Sequence, residues 1–107
     1  MTFHVVVTEN AKANLRHYYE RAAENAPLTA GRWLNRFEDA LKTLATNPER
    51  CPTAPENNAV EPEVRQLTFG KRTGAYRALF TIVGSEVQVL HIRRAAMDVA
   101  APDELFE

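Results

Sequence analysis

The side chains best suited to chemistry in this sequence are cationic, and they lie in its second half. Residues 64–94 contain a single carboxylate, Glu86, and six basic residues: Arg65, Lys71, Arg72, Arg77, Arg93 and Arg94. Positioned cations stabilise charge that develops on phosphoryl oxygens, so with one acid or base they can support metal-free RNA cleavage. The candidates are Arg77, Lys71 and Arg72, with Tyr76 or His91 for proton transfer. The same cations would also suit an acidic protein segment or a nucleic-acid backbone.

Other chemistries find little support in the residue pattern. The three histidines, His4, His17 and His91, stand apart from one another and from any metal-ligand motif, so we expect no metal site. The only serine, Ser85, lies in a predicted turn, and no glycine pattern matches a phosphate-binding loop. We therefore expect no cofactor. Cys51 is flanked by arginine and proline, which favours an inert loop thiol over a nucleophile.

Three predicted strands, at residues 64–69, 74–83 and 86–94, carry the cations. The strands are rich in β-branched and aromatic residues, and Gly84-Ser85 between the last two predicts a tight hairpin, because glycine supplies the positive φ of a type II′ turn. A two-residue turn sets the register, with Val83 opposite Glu86 and Tyr76 opposite Arg93.

Alternation along these two strands predicts two different faces. One face has an apolar centre that helices should cover, and it contains Tyr76, Ala78, Phe80, Ile82, Val87, Val89, His91 and Arg93. The other is part polar and part apolar, and it contains Arg77, Leu79, Thr81, Glu86, Gln88, Leu90 and Ile92. A mixed face centred on an arginine predicts a binding surface, with an ordinary face capped by a loop as the alternative. This register also separates Tyr76 and His91 from Arg77, which weakens the hypothesis of RNA cleavage.

The first half of the chain predicts the elements that position this sheet. Residues 3–7 alternate as a short strand, and Thr8 is a suitable cap for a first helix that ends near Asn25. Pro27 opens a second helix with an apolar stripe that includes Trp33 and Phe37. The short connection makes the helices antiparallel neighbours. The predicted class is α/β (α+β), in the order β-α-α-β-β-β, with a mainly antiparallel sheet and a helical hairpin on one face.

The remaining segments and the composition predict a single cytoplasmic domain, residues 1–107. Residues 48–63 are rich in proline and should wrap over the surface, and residues 98–107 form an acidic tail. We find no membrane-spanning run and no secretion signal, and the single cysteine fits a reducing compartment.

The order of these elements and several sequence stretches resemble the RelE/ParE superfamily of type II toxin–antitoxin toxins. The resemblance covers roughly residues 3–97. It rests on the combination of VVVTENA, AGRWLNRFEDAL, NPERCPTAP, EVRQLTFGKRTGAYRALFTI and VLHIRR.

This resemblance implies a growth-inhibiting toxin that a cognate antitoxin, usually encoded beside it, neutralises by folding along its surface. The predicted binding residues, taken from the charge and alternation of the strands, are Arg65, Arg77, Leu79, Leu90, Ile92, Arg93 and Arg94. RelE-like members cleave mRNA on the ribosome, whereas ParE-like members inhibit DNA gyrase without chemistry. Arg77 matches the arginine of the RelE-like GxYR stretch, but the residues after Arg94 lack the expected basic or tyrosine groups. We therefore favour gyrase inhibition over ribosome-dependent RNA cleavage, with a weakly active homologue that mainly binds its antitoxin as a further alternative.

Overall fold

The computed structural model describes residues 2–59, 62–71, 74–96 and 99–106. Strand β1 (His4–Val7) leads into helices α1 (Glu9–Ala23) and α2 (Pro27–Lys42). Strands β2 (Arg65–Phe69), β3 (Tyr76–Val83) and β4 (Glu86–Arg94) follow, and a short helix α3 (Pro102–Leu105) closes the chain. The predicted α+β class and the predicted order of the first six elements are confirmed.

Local residue chemistry explains where the helices begin. The Thr8 hydroxyl caps α1 by accepting a hydrogen bond from the Ala11 N–H at 3.2 Å. Pro27 occupies the first turn of α2, where no intrahelical N–H is needed. Helix α2 ends at Lys42, earlier than the Asn47-Pro48 stop, because the chain tightens into a 3₁₀ turn, Thr43–Ala45. Among the described residues, no helix has the length and apolar character needed to cross a membrane.

The four strands form one mixed sheet in the order β1-β4-β3-β2. Strand β1 runs parallel to β4, and the other two pairs are antiparallel. Gly84 adopts a φ of 59°, the positive value that the predicted hairpin turn requires. Helices α1 and α2 cover one side of the sheet and enclose the larger core, which includes Ala11, Leu15, Phe37, Leu41, Ala78, Phe80, Val87, Val89 and Ile92.

A β-bulge at Leu90 changes the register that the sequence predicts. From the turn to the pair Phe80 and Val89 the prediction is correct, but the next pair is Leu79 with His91 instead of Ala78 with His91. Leu90 is the extra residue on β4, so every later residue of that strand changes face. The predicted sides of His91, Ile92 and Arg93 are therefore wrong.

Side chains of α1 explain how this bulge is accommodated. Strand β1 ends at Val7, so beyond Val89 the side of β4 that faces away from β3 has no neighbouring strand. The amide of Asn10 donates to the Leu90 carbonyl at 2.9 Å, and the Asn14 side-chain carbonyl accepts from the Ile92 N–H at 3.0 Å. These two bonds satisfy backbone groups that would otherwise be buried without partners.

Candidate functional site

The side of the sheet away from the helices, called the arginine face below, is built from β3 and β4. It comprises Arg77, Leu79 and Thr81 on β3 and His91 and Arg93 on β4, which the bulge brings to this side. All five side chains are buried, and Arg77 retains only 7% of its exposure. The centre of the face that the sequence predicts as a binding surface is therefore covered by other parts of the same chain, whereas Glu86 and Gln88 at its turn end are half-exposed.

Arg77 is neutralised within the protein by a carboxylate from the long loop. Its two terminal nitrogens, Nη1 and Nη2, donate to Oε1 and Oε2 of Glu56, both at 2.9 Å. Nη1 also donates to the Gln66 side-chain oxygen at 3.1 Å. Glu56 has no exposed surface. This bidentate arrangement is the strong geometry for an arginine–carboxylate pair, and it leaves little of the guanidinium free for an external phosphate.

Backbone pairing of the proline-rich loop explains how Glu56 reaches this position. The Ala54 N–H donates to the Val64 carbonyl at 2.9 Å, and the Asn57 side chain accepts from the Val64 N–H at 2.7 Å. A 3₁₀ turn at Pro55–Ala59 then directs Glu56 over the sheet. The loop was predicted to wrap over the surface at an edge, and it pairs with β2 while also covering the arginine face.

The segment after β4 folds over the same face and does not extend away as an acidic tail. The Ala100 N–H donates to Glu56 Oε2 at 2.9 Å, and Arg93 Nη1 donates to Glu104 Oε2 at 3.1 Å. Ala100 and Leu105 complete a second small core with Ala54, Val64 and Leu79. Glu104, one of the acidic residues of this segment, thus neutralises the sheet residue Arg93.

The ionisation of Glu56 follows from these contacts. Burial alone would raise its pKa, but the hydrogen bonds from Arg77 and from the Ala100 N–H outweigh that effect and lower the pKa from 4.5 to about 2. Glu56 therefore stays charged over the whole physiological range.

We expect acid to destabilise the protein through this group. Because the pKa is lower in the folded state, the unfolded chain binds more protons between pH 4.5 and about 2, so the stabilising contribution of Glu56 is lost as the pH falls through that interval. Urea unfolding at pH 6, 4 and 3 measures this loss. Glu56→Gln should be less stable at pH 6 and should show a flatter decline below pH 4.5. An unchanged decline in the variant would assign the acid sensitivity to other carboxylates.

His91 and Arg93 are placed differently from what the sequence predicts, and both are incompletely paired. Within the described ranges, His91 Nδ1 and Arg93 Nε are buried atoms without a hydrogen-bond partner. Burial and the neighbouring Arg93 charge lower the pKa of His91, so it is neutral at physiological pH. A neutral, buried imidazole beside Arg77 adds to the face as a packed group and has little access to a substrate.

The seven predicted binding residues do not form one surface. Arg77, Leu79 and Arg93 lie together on the arginine face, and Leu90 lies in the bulge beside Leu105. The other three, Arg65, Ile92 and Arg94, lie on the helix side. Arg65 is opposite Phe80, Ile92 is opposite Ala78, and Arg94 is opposite Tyr76. The residues were grouped by charge and alternation, and the bulge divides them.

Arg65 and Cys51 illustrate how the loop is fastened on the helix side. Arg65 Nη1 donates to the carbonyls of Cys51 at 2.6 Å and Glu49 at 3.2 Å. Burial raises the pKa of the Cys51 thiol, although Arg50 and Arg65 oppose this effect. The thiol is thus neutral and enclosed, as expected for an inert cysteine.

An open cleft on the helix side contains the exposed cation Arg94. Tyr76 lies between Tyr18 and Trp33, with ring centroids 5.0 and 5.2 Å away. Arg94 and Arg21 line a cavity of about 460 Å³ next to these rings. Of the cations proposed for RNA cleavage, Lys71 is exposed, Arg77 is buried, and Arg72 lies outside the described residues. No three potential metal ligands come together in the described part of the chain.

Comparison with known proteins places this fold in a family. The family model for the ParE toxin of the type II toxin–antitoxin system parDE matches residues 5–99. The chain belongs to the ParE toxin family. It is similar to a chain of the chromosomal ParDE toxin–antitoxin system from P. aeruginosa, with 25% identity, a TM-score of 0.70, and coverage of 87% of this chain and 96% of that one. A comparison with curated proteins finds no match.

Family membership makes the protein a type II toxin whose partner is a cognate antitoxin. The residue that sequence reasoning missed in this ParE-family chain is Glu56. It stands in the loop sequence PENN, where a single glutamate looks like any exposed loop carboxylate. The sequence signal that could have indicated its role is the excess of cations in the predicted strands. A buried arginine needs a carboxylate partner, and these strands contain only Glu86.

Proposed function

We propose that this ParE-family toxin inhibits DNA gyrase by binding it, without cleaving RNA. The observation that carries the proposal is the burial and bidentate pairing of Arg77 with Glu56. Arg77 is the residue that corresponds to the arginine of the RelE-like GxYR stretch. A cation that is to stabilise a phosphoryl transition state must reach the phosphate, and this one is held by a carboxylate inside the protein.

The neighbouring groups support the same proposal. His91 has a pKa lowered by burial and by Arg93, so it is poorly placed to exchange protons with a bound RNA. Arg93 is also buried and paired with Glu104. A surface whose charges are neutralised internally gives up the counterion release that drives RNA binding. These features favour an inhibitor that acts through protein contacts, and we place its action in the cytoplasm as part of the same proposal.

RNA cleavage remains the second candidate because of the helix-side cleft. Arg94 and Arg21 are exposed there, next to His17 and Tyr76. Two cations with an imidazole and a phenol nearby form a set that can bind a phosphate and move a proton. This set differs from the one that the sequence predicts. Because it does not include Arg77, substitutions within it test RNA cleavage independently of Arg77.

Expression of the toxin in bacteria without its antitoxin separates the candidates. We expect growth arrest, loss of negative supercoiling in a reporter plasmid, and intact mRNA by primer extension. Arg94→Ala, an exposed substitution, should leave this pattern unchanged. Arrest with fragmented mRNA that Arg94→Ala abolishes would establish the ribonuclease. Absence of arrest from folded protein would favour a homologue that mainly binds its antitoxin.

A further inference from the structure

An aromatic cavity opens on the helix side of the protein, where α1, α2 and the start of β3 meet. Tyr18, Trp33 and Tyr76 line it, and all three side chains are only partly buried. The centroid of the Tyr76 ring lies 5.0 Å from that of Tyr18 and 5.2 Å from that of Trp33. The cavity has a volume of about 280 Å³. A space of this kind, bounded by aromatic rings, suits a flat aromatic group that packs against them.

Small residues keep this cavity open. Besides the three rings and Thr29, its lining consists of three alanines and a glycine: Ala22, Ala26, Ala30 and Gly74. Ala22 and Ala26 are exposed, and a Cβ at Gly74 would meet no atom within 4 Å. Longer side chains at these exposed positions would fill the space, so the sequence leaves one side of the ring cluster uncovered.

Two cations stand at one end of the aromatic cavity. A second cavity, of about 460 Å³, shares Tyr18, Ala22 and Tyr76 with the first and is also lined by His17, Arg21 and Arg94. Arg21 and Arg94 are exposed, and neither forms an ion pair with another described residue. Among the described residues, no carboxylate lines either cavity. Two guanidinium groups without acidic neighbours in the lining are suited to a phosphate group.

The two joined cavities, called the aromatic cleft below, do not suit an extended chain. Strand β3 has β2 on one side and β4 on the other, with Tyr76 opposite Phe69 and Arg94. It therefore has no free edge beside the cleft with which a peptide backbone could pair. The cations of the lining stand at one end only, whereas a bound nucleic-acid strand requires a basic groove that follows its backbone.

We propose that the aromatic cleft binds a single nucleotide. The base stacks against Trp33 and Tyr76 in the first cavity, and the phosphate lies between Arg21 and Arg94 in the second. One aromatic space beside one cationic end matches the one base and one phosphate group of a mononucleotide. The inference concerns a ligand of the toxin and does not depend on whether gyrase is the target.

The fluorescence of Trp33, the only tryptophan of the chain, tests this proposal in the full-length toxin. Adenosine monophosphate should quench it saturably, and adenosine, which lacks the phosphate, should bind at least about tenfold more weakly. Absence of saturable quenching by the monophosphate would overturn the proposal. Tighter binding of a single-stranded oligoadenylate, by about tenfold or more, would overturn it in favour of a nucleic-acid strand. Quenching by an acidic, tyrosine-containing peptide alone would assign the cleft to a protein partner.

A pair of alanine substitutions tests where the base lies. Ala22→Leu fills the space that the two cavities share and removes no charge, so it should weaken binding of adenosine monophosphate by about tenfold or more. Ala13→Leu is the matched control, because Ala13 is an exposed residue of the same helix outside the cleft. It should change the affinity by less than about twofold. Equal affinities of the two variants would contradict the proposal.

A pair of arginine substitutions tests where the phosphate lies. Arg21→Ala should weaken binding of adenosine monophosphate by about fivefold or more, with little effect on adenosine. Arg16→Ala removes an exposed cation from the same helix, but Arg16 lines a different cavity, so its affinity should change by less than about twofold. Equal losses in the two variants would show attraction by net charge alone and would overturn the assigned phosphate position.

Discussion

Glu56→Ala is expected to lower the free energy of unfolding by about 3–5 kcal/mol, the cost of leaving one partner of a buried ion pair without the other. The carboxylate that is removed accepts hydrogen bonds from both terminal nitrogens of Arg77 and from the Ala100 N–H. Its loss leaves a guanidinium with 7% exposure and a buried amide without their main acceptor. Urea unfolding at pH 7 measures the change.

A second substitution distinguishes a broken ion pair from a simple packing defect. The double variant Glu56→Leu with Arg77→Met replaces both charges by apolar side chains, which is often neutral or stabilising for a buried pair. We expect it to recover most of the stability that Glu56→Ala loses. A Glu56→Ala variant that loses less than about 1 kcal/mol would mean that Arg77 finds water or another acceptor, and the sealed arginine face would then be incorrect.

Phe37→Ala is expected to cost about 3–5 kcal/mol, as for other large-to-small changes at enclosed aromatic positions. Phe37 has no exposed surface and lies at the centre of the aromatic contacts between α2 and the sheet. Its ring is 4.6 Å from that of Phe69 and 5.4 Å from that of Trp33. Removing the ring leaves a cavity that the neighbouring side chains cannot fill.

Leu28→Ala is the matched control for this prediction. Leu28 lies in the first turn of the same helix and is 77% exposed, so its truncation should change the unfolding free energy by no more than about 0.5 kcal/mol. Urea midpoints of the two variants give the comparison directly. Equal losses would place the main core elsewhere than between α2 and the sheet.

The elements of this protein could be predicted from sequence because each has a local physical signal. Apolar periodicity predicts α2, the Thr8 hydroxyl predicts the start of α1, and Gly84 predicts the positive φ of the hairpin turn. All three occur as expected. The hairpin register was also correct next to the turn. These properties depend on neighbours in the sequence, so one chain is enough to read them.

The composition of the arginine face could not be predicted, because it depends on one inserted residue. Strict alternation assigns His91 and Arg93 to the helix side, and the bulge at Leu90 reverses both. The groups that accommodate the bulge, Asn10 and Asn14, come from the other end of the chain. No local pattern in β4 announces it.

The covering of that face was missed for a related reason. The sequence predicts that the loop around Glu56 wraps over the surface and that the segment around Glu104 is an acidic tail. In the structure both segments bring a carboxylate to a sheet arginine. The concentration of cations in the strands and of acidic residues in the C-terminal segment was visible in the sequence. Which carboxylate meets which arginine is a tertiary contact between residues 11 to 21 positions apart, and composition does not specify it.

A toxin with this arrangement keeps Arg77 and Arg93 of its basic strands neutralised inside the fold and leaves other surfaces for its partners. The helix-side cleft at Arg94 lies apart from the arginine face. Activity in such a protein would depend on contacts at exposed surfaces, and substitutions at Arg77 would act through stability.

The most direct test of this account is a supercoiling reaction with purified gyrase, relaxed plasmid and the toxin, run beside translating ribosomes that carry a labelled mRNA. The account predicts that the toxin blocks supercoiling in proportion to its concentration, that added antitoxin restores it, and that the mRNA stays intact. The folded Glu56→Leu, Arg77→Met variant should inhibit equally well. Unimpaired supercoiling together with cleavage of the ribosome-bound mRNA, lost in that same folded variant, would contradict both the proposed target and the structural role of Arg77.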